Sequence, residues 1–119
     1  MTTLLYVEDH PPARLLMQAI IAELTDCELI TAESGAAARA LLTQHTPDLY
    51  IIDLDLPDTD GLALAAALTQ THAAPVILVS AYAEAIQTDQ FTHSDYVYLA
   101  KPLDPDDVAA AVRRALARH

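Results

Sequence analysis

Cysteine occurs once in the 119 residues, as Cys27, which excludes an internal disulfide and a thiolate cage for a metal. A lone thiol suits a reducing compartment, and Cys27 is expected to be buried. Basic charge is scarce: six Lys and Arg face seventeen Asp and Glu, a formal net charge of −11. Such a field repels phosphate backbones and anionic lipid, so neither nucleic acid nor a membrane surface is an expected partner. No apolar run approaches the roughly 18 residues needed to cross a bilayer. The opening "MTTLLYVEDH" has no basic stretch of the kind that starts a secretory signal. A cytoplasmic protein is expected. Repeats, linkers and low-complexity tracts are also missing, apart from alanine-rich helices, so one domain is expected over residues 1–119.

What the chain does contain is a rhythm. Five short apolar segments recur, "TLLYV" (3–7), "ELITA" (28–32), "LYII" (49–52), "VILV" (76–79) and "YVYL" (96–99). Their length and β-branched or aromatic content predict strands, and consecutive apolar positions indicate burial on both faces, as in parallel sheets. Between them lie helical marks. "PPARLLMQAIIAEL" offers Pro11 and Pro12 for a first turn and a stripe of Leu16, Ile20 and Leu24. "SGAAARALLTQH" opens on Ser34 as an N-cap, and "GLALAAALTQTH" stops before Pro75. The last helix has Asp104 as cap, Pro105 at its first position, acids in its first turn and arginines, Arg118 among them, towards its end. A short helix is assigned near residues 83–91. Alternation of strand and helix five times predicts an α/β fold: a doubly wound, five-stranded parallel sheet, (βα)5, with helices on both faces.

Sheets of this kind bind ligands at the carboxyl ends of their strands. There the sequence places Glu8 and Asp9 after the first strand, Asp53 after the third, Ser80 after the fourth and Lys101, the sole lysine, after the fifth. Carboxylates gathered about 4 Å apart repel by on the order of 4 kcal/mol per pair at an effective dielectric of 20, unless a cation intervenes. Mg²⁺ favours oxygen ligands and is commonly held by one or two carboxylates plus phosphate oxygens. Asp9 and Asp53, with Glu8 acting directly or through water, fit that description, with Mn²⁺ as the alternative ion. The Lys101 ammonium and the Ser80 hydroxyl can then meet phosphate oxygens.

In order and spacing, "YVEDHPPARLLM", "IIDLDLPDTDG", "VILVSAY" and "YLAKPL" resemble the receiver domains of two-component response regulators, over nearly the whole chain. The resemblance implies a flavodoxin-like fold. It implies that Asp53 is the phosphoacceptor, supplied by a sensor histidine kinase or a histidine phosphotransfer protein, with the protein itself not an enzyme. It further implies that Glu8, Asp9, Asp53 and the backbone carbonyl of Asp55 hold Mg²⁺ and that Lys101 pairs with the acyl phosphate. Ser80 and Tyr98 would form the switch that alters the surface of the fourth and fifth helices and fifth strand, read by a downstream partner or a fused output domain. Asp55 and Tyr82 match positions that tune phosphoryl lifetime, while Pro57, Gly61 and Pro102, the last a cis-proline, match structural positions. Two departures stand out: "HSDYVY" replaces a small Gly-Ala pair, and Glu8 replaces the commoner Asp.

Two other readings compete. A haloacid-dehalogenase-type phosphatase is suggested by the D-x-D of "DLDLP", but that motif follows the third strand and the chain is short for the fold. A pseudo-receiver that only binds a partner is opposed by the complete set of Glu8, Asp9, Asp53, Ser80 and Lys101. Asp58, Thr59 and Asp60 need only form a turn. None of the five histidines has metal-like spacing, though His10, beside Asp9, is placed to touch the rim of the site. With nothing but the last helix beyond Lys101, a free-standing receiver or one cut from a longer regulator is expected.

Overall fold

The computed structural model describes residues 2–81 and 96–117. Within them run β1 (Thr3–Val7), α1 (Pro11–Leu24), β2 (Glu28–Ala32), α2 (Gly35–Leu41) and β3 (Leu49–Asp53), followed by α3 (Gly61–Thr71), β4 (Val76–Ser80), β5 (Tyr96–Ala100) and α4 (Pro105–Ala117). All neighbouring strands pair in parallel, in the order β2-β1-β3-β4-β5. The chain reverses its direction of winding between β1 and β3, the place where such sheets open a crevice at their carboxyl ends. The helix expected near residues 83–91 lies outside the described residues, as does Arg118.

Strand parity divides the core in two. Leu4 and Tyr6 of β1, Leu49 and Ile51 of β3 and Val97 and Leu99 of β5 pack with Met17, Ile20 and Ile21 of α1 and Val108 and Val112 of α4. Leu5 and Val7, Tyr50 and Ile52, and Val76 and Leu78 pack instead with Ala38 of α2 and Leu64, Ala65 and Leu68 of α3. Both faces of β3 and β4 are buried at every position, the physical reason those strands read as unbroken apolar runs. Asp53 and Ser80 are the final residues of their strands rather than the first beyond them, because Asp53 pairs in register with Val79 and Ser80 with Ala100.

Several local expectations meet their physical cause. The Ser34 hydroxyl accepts from the Ala37 N–H and Asp104 accepts from both Asp106 and Asp107, while Asp60, expected only to form a turn, accepts from the Leu62 N–H and caps α3. Other expectations are corrected. In α1 the buried side chains are Met17, Ile20 and Ile21, whereas Leu16 and Leu24 are 43% and 42% exposed. The sheet lies on the Met17–Ile21 side, and Ile20 is the one member that both stripes share. α2 ends at Leu41, because Leu42, Thr43 and Gln44 bond back three residues, to Arg39, Ala40 and Leu41, and tighten the turn. Cys27 is half-buried at the edge of the first core cluster, not enclosed.

The segment after β3 is tied to two neighbours. Asp58 accepts from the backbone N–H groups of Gly35 (3.0 Å) and Ala36 (3.2 Å), so a loop acid closes the amino end of a helix more than twenty residues away. Gly61 opens α3 against the backbone of β3: a Cβ there would stand 2.7 Å from the Asp53 carbonyl oxygen and 2.8 Å from Leu54 Cα. Neither obstacle is a flexible side-chain tip. Gly61→Ala should therefore cost about 1–3 kcal/mol in urea unfolding and shift the Asp53 and Leu54 amide resonances. An unfolding curve superimposable on wild type would refute this close approach.

The bonds from Gly35 and Ala36 hold the Asp58 carboxyl below its ordinary value. A depressed folded value means that the contribution is complete above the unfolded value near 4 and fades as acid protonates the group. Asp58→Ala should thus lower the thermal midpoint at pH 7, and the gap to wild type should narrow as the pH falls towards 3. A gap independent of pH would show that the charge of Asp58 is not what holds α2.

Candidate functional site

Three strand ends on the α1/α4 face converge. Glu8 prolongs β1, its N–H bonding the Ala32 carbonyl at 2.9 Å, and Lys101 prolongs β5, its N–H bonding the Ser80 carbonyl at 2.9 Å. Asp53 ends β3 between them. The parity that sends Leu4 and Tyr6, Leu49 and Ile51, and Val97 and Leu99 into the first core cluster continues through Glu8, Asp53 and Lys101. The site is the polar end of that core.

Lys101 Nζ stands 2.7 Å from Glu8 Oε1 and 3.0 Å from Asp53 Oδ2. Both carboxylates are withdrawn from water, Glu8 at 0% and Asp53 at 1% exposure, while the lysine side chain keeps 24%. The Asp55 N–H donates to Asp53 Oδ1 at 3.0 Å, so each Asp53 oxygen has a donor. Glu8 is held by its carbonyl, which accepts from Arg14 Nη1 at 2.8 Å, and by its side chain, which accepts from the Tyr6 hydroxyl at 3.3 Å. Glu8 Oε2 is buried without a hydrogen-bond partner.

The electrostatics follow from this asymmetry. Burial, with the neighbouring Asp53 carboxyl, pushes Glu8 up to about 7 against the pull of Lys101. Burial also works to raise Asp53, but the neighbouring Glu8 carboxyl, the Asp55 amide and Lys101 together outweigh it and hold Asp53 below the usual carboxylate range. Desolvation would depress Lys101, yet its two carboxylate partners raise it, so it stays an ammonium at neutral pH.

Asp9, exposed, completes a trio: Glu8, Asp9 and Asp53 can each offer an oxygen such that all three lie within 4.8 Å of one another. Hard oxygen donors, one of them a buried carboxylate oxygen with no partner, are what a small divalent cation requires. The residues present therefore fit Mg²⁺.

The remaining expected residues are distributed around this centre. Ser80 is 1% exposed at the end of β4, and Tyr98 is half-buried against the second core cluster, so both follow the opposite parity to Lys101. Asp55 and Pro57 are exposed, and the Lys101–Pro102 peptide is cis. Tyr82 lies outside the described residues. His10 is exposed and, with Lys101, lines a cavity of about 240 Å³. Sequence reasoning passed over Tyr6, Arg14 and Asp58. For Tyr6 a signal existed, since a strand's period of two sets its side chain on the face that Glu8 continues.

Comparison with known proteins agrees with this geometry. The response regulator receiver domain family matches residues 4–113. The chain is 37% identical to the KDP operon transcriptional regulatory protein KdpE of Escherichia coli K12, covering 100% of this chain and 53% of that protein. It is 30% identical to the DNA-binding transcriptional regulator NtrC of the same organism, covering 95% of this chain and 24% of that protein. The chain thus spans about half, or less, of the length of these curated relatives. Among solved structures, the response regulator TrrA of Thermotoga maritima, in complex with Mg(2+)-BeF, superposes with a TM-score of 0.83 at 28% identity over 97% of this chain and 99% of that one. A receiver domain from Clostridium thermocellum shares the fold at a TM-score of 0.86 and 18% identity, over 99% of this chain and 96% of that one. Sheet order, helices on both faces and the acidic trio at the carboxyl edge coincide with that match: the chain belongs to the receiver domain family of response regulators, the signalling modules of two-component systems.

Proposed function

We propose that Asp53 is the phosphoacceptor of this receiver and that Glu8, Asp9, Asp53 and the backbone carbonyl of Asp55 hold Mg²⁺, or Mn²⁺ in its place. One observation carries the reading: a single lysine bonds two wholly buried carboxylates, one of which keeps an oxygen without a partner. That arrangement has little value as packing, because a buried ion pair is weak in net stability. It has value as a preset field for an incoming anion. The Mg(2+)-BeF complex of TrrA supports the same ion here.

In the transfer, an Asp53 carboxylate oxygen attacks phosphorus in line with the bond to the donor histidine. The P–N bond breaks, its electron pair returns to the imidazole, and an acyl phosphate forms with no proton moved at Asp53. The Asp55 N–H fixes one Asp53 oxygen and Lys101 the other, so the carboxylate is oriented before the donor arrives. Lys101, raised and cationic, offsets charge as it spreads over the phosphoryl oxygens. The divalent ion, when bound, supplies further neutralisation of those oxygens. The protein catalyses its own phosphorylation and hydrolysis and turns over no separate substrate, with Asp55 and Tyr82 tuning the approach of water.

The donor is a sensor histidine kinase or a histidine phosphotransfer protein. Ser80, at the end of β4, answers the new phosphoryl group, and Tyr98, on the same sheet face, carries the change to the surface of β5 and its neighbouring helices. A downstream protein or a fused output domain reads that surface. The lengths of KdpE and NtrC beyond the matched region support the fused form.

Incubation with acetyl phosphate and Mg²⁺ should add one phosphoryl group per chain by intact mass. Asp53→Asn and chelation of Mg²⁺ should each abolish the adduct, and Lys101→Ala should slow its formation by roughly 10²-fold. An adduct that persists in Asp53→Asn overturns the assignment, and continuous turnover of a phosphomonoester would return the phosphatase reading.

A further inference from the structure

Tyr6 is a wholly buried phenol, at 0% exposure, on the second-last residue of β1. Packing alone does not account for it. It belongs to the first core cluster with Leu4, Met17, Ile20 and Ile51, an apolar setting in which a phenylalanine would fill the same volume without bringing a hydroxyl that must be satisfied. The acceptor of that hydroxyl among the described residues is Glu8 Oε1, two residues on along the same face.

We propose that Tyr6 is a positioning residue for the cation site: its hydroxyl holds Glu8 Oε1, so that Oε2 is left as the oxygen available to ligate. This rests on the reading of Glu8, Asp9 and Asp53 as the holders of Mg²⁺.

Three observations support it. First, Glu8 receives only two side-chain donors among the described residues, Tyr6 at 3.3 Å and Lys101 at 2.7 Å, and both fall on Oε1, which leaves Oε2 buried and unpartnered. Second, Lys101 divides its donation between Glu8 Oε1 and Asp53 Oδ2, whereas the Tyr6 hydroxyl is directed at Glu8. Third, Glu8 carries one methylene more than an aspartate, and so has one more torsion to fix at 0% exposure. A hydroxyl rising from the strand beneath it supplies the constraint. The separation of 3.3 Å is long for a hydroxyl to a carboxylate, consistent with an acceptor oxygen already shared with an ammonium at 2.7 Å. Donors of this kind behind a metal ligand typically change affinity by about 10–100-fold.

The test is a calorimetric titration of the unphosphorylated protein with Mg²⁺ in four forms: wild type, Tyr6→Phe, Glu8→Asp and the double variant. Tyr6→Phe should weaken Mg²⁺ binding about 10-fold, while the labelling rate with acetyl phosphate at saturating Mg²⁺ stays within about two-fold of wild type. In the Glu8→Asp background the same change should have less than about a two-fold effect, because the shorter acid no longer reaches the phenol. A structural role for Tyr6 would lower stability in both backgrounds alike without that difference in affinity. Equal Mg²⁺ affinity of wild type and Tyr6→Phe overturns the proposal and leaves the cation site standing. Failure of the wild type to bind Mg²⁺ overturns the cation site itself. Should Tyr6→Phe not fold, the wild-type hydroxyl proton of Tyr6 decides by NMR: a resonance protected from exchange and retained on adding Mg²⁺ supports the proposal, and one that is lost on adding the ion refutes it.

Discussion

Everything at the carboxyl edge depends on one ammonium. Lys101 stands between two carboxylates that water does not reach, and without it Glu8 and Asp53 would be buried like charges in contact. Each attraction at about 3 Å is on the order of 5 kcal/mol at an effective dielectric of 20, most of which is consumed by desolvating three charged groups. The balance is close enough that a second cation or an arriving anion can redistribute it. A core built to be inert would contain none of these groups. One built to respond requires them in a frame that does not move, and five parallel strands with both faces covered provide it.

The sheet also separates two tasks by parity. Glu8, Asp53 and Lys101 continue the residues that pack on α1 and α4, whereas Ser80 and Tyr98 continue those on the α2/α3 face. Charge is thus assembled on one face, and the proposed responders stand on the other, joined through the backbone bond from Lys101 to the Ser80 carbonyl. A change in charge at Asp53 need not cross the core to reach Ser80, since the two strands are adjacent and in register near their ends. Asp58 adds a tether from the same loop to the start of α2, and Gly61 lets α3 begin against the Asp53 backbone. Both flank the site without entering it.

The strands and the acidic edge were legible because the underlying physics is local. Strands buried on both faces must be apolar throughout, so "LYII" and "VILV" announce themselves, and an acid closing such a run marks the edge where core gives way to chemistry. Legibility failed where a second element decides the outcome. α1 is apolar on more than one side, with Leu15 66% exposed, and only the position of the sheet selects Met17 and Ile21 over Leu16 and Leu24. Asp58 reads as a turn former until the start of α2, far back in the chain, is placed beside it. Cys27 follows the same logic, since its burial depends on what packs over the start of β2 rather than on the residue itself.

The two tyrosines that are fully buried among the described residues show how position along a strand decides what a polar group is for. Tyr50, near the start of β3, donates to the His72 carbonyl at 2.6 Å and the Leu68 carbonyl at 3.2 Å, closing the end of α3. Burial pushes its phenol up to about 12, and the bonds it makes are to neutral backbone. Tyr6, near the end of β1, faces carboxylates instead, and burial together with the charges of Glu8 and Asp53 drives its phenol higher still. Both upward shifts favour the protonated hydroxyl, and in the structure both hydroxyls act as donors. At the amino end of the sheet such a donor can only complete a helix terminus. At the carboxyl end, where the strands open on the crevice, the same donor meets a ligand-bearing side chain, and its bond becomes part of how that side chain is presented.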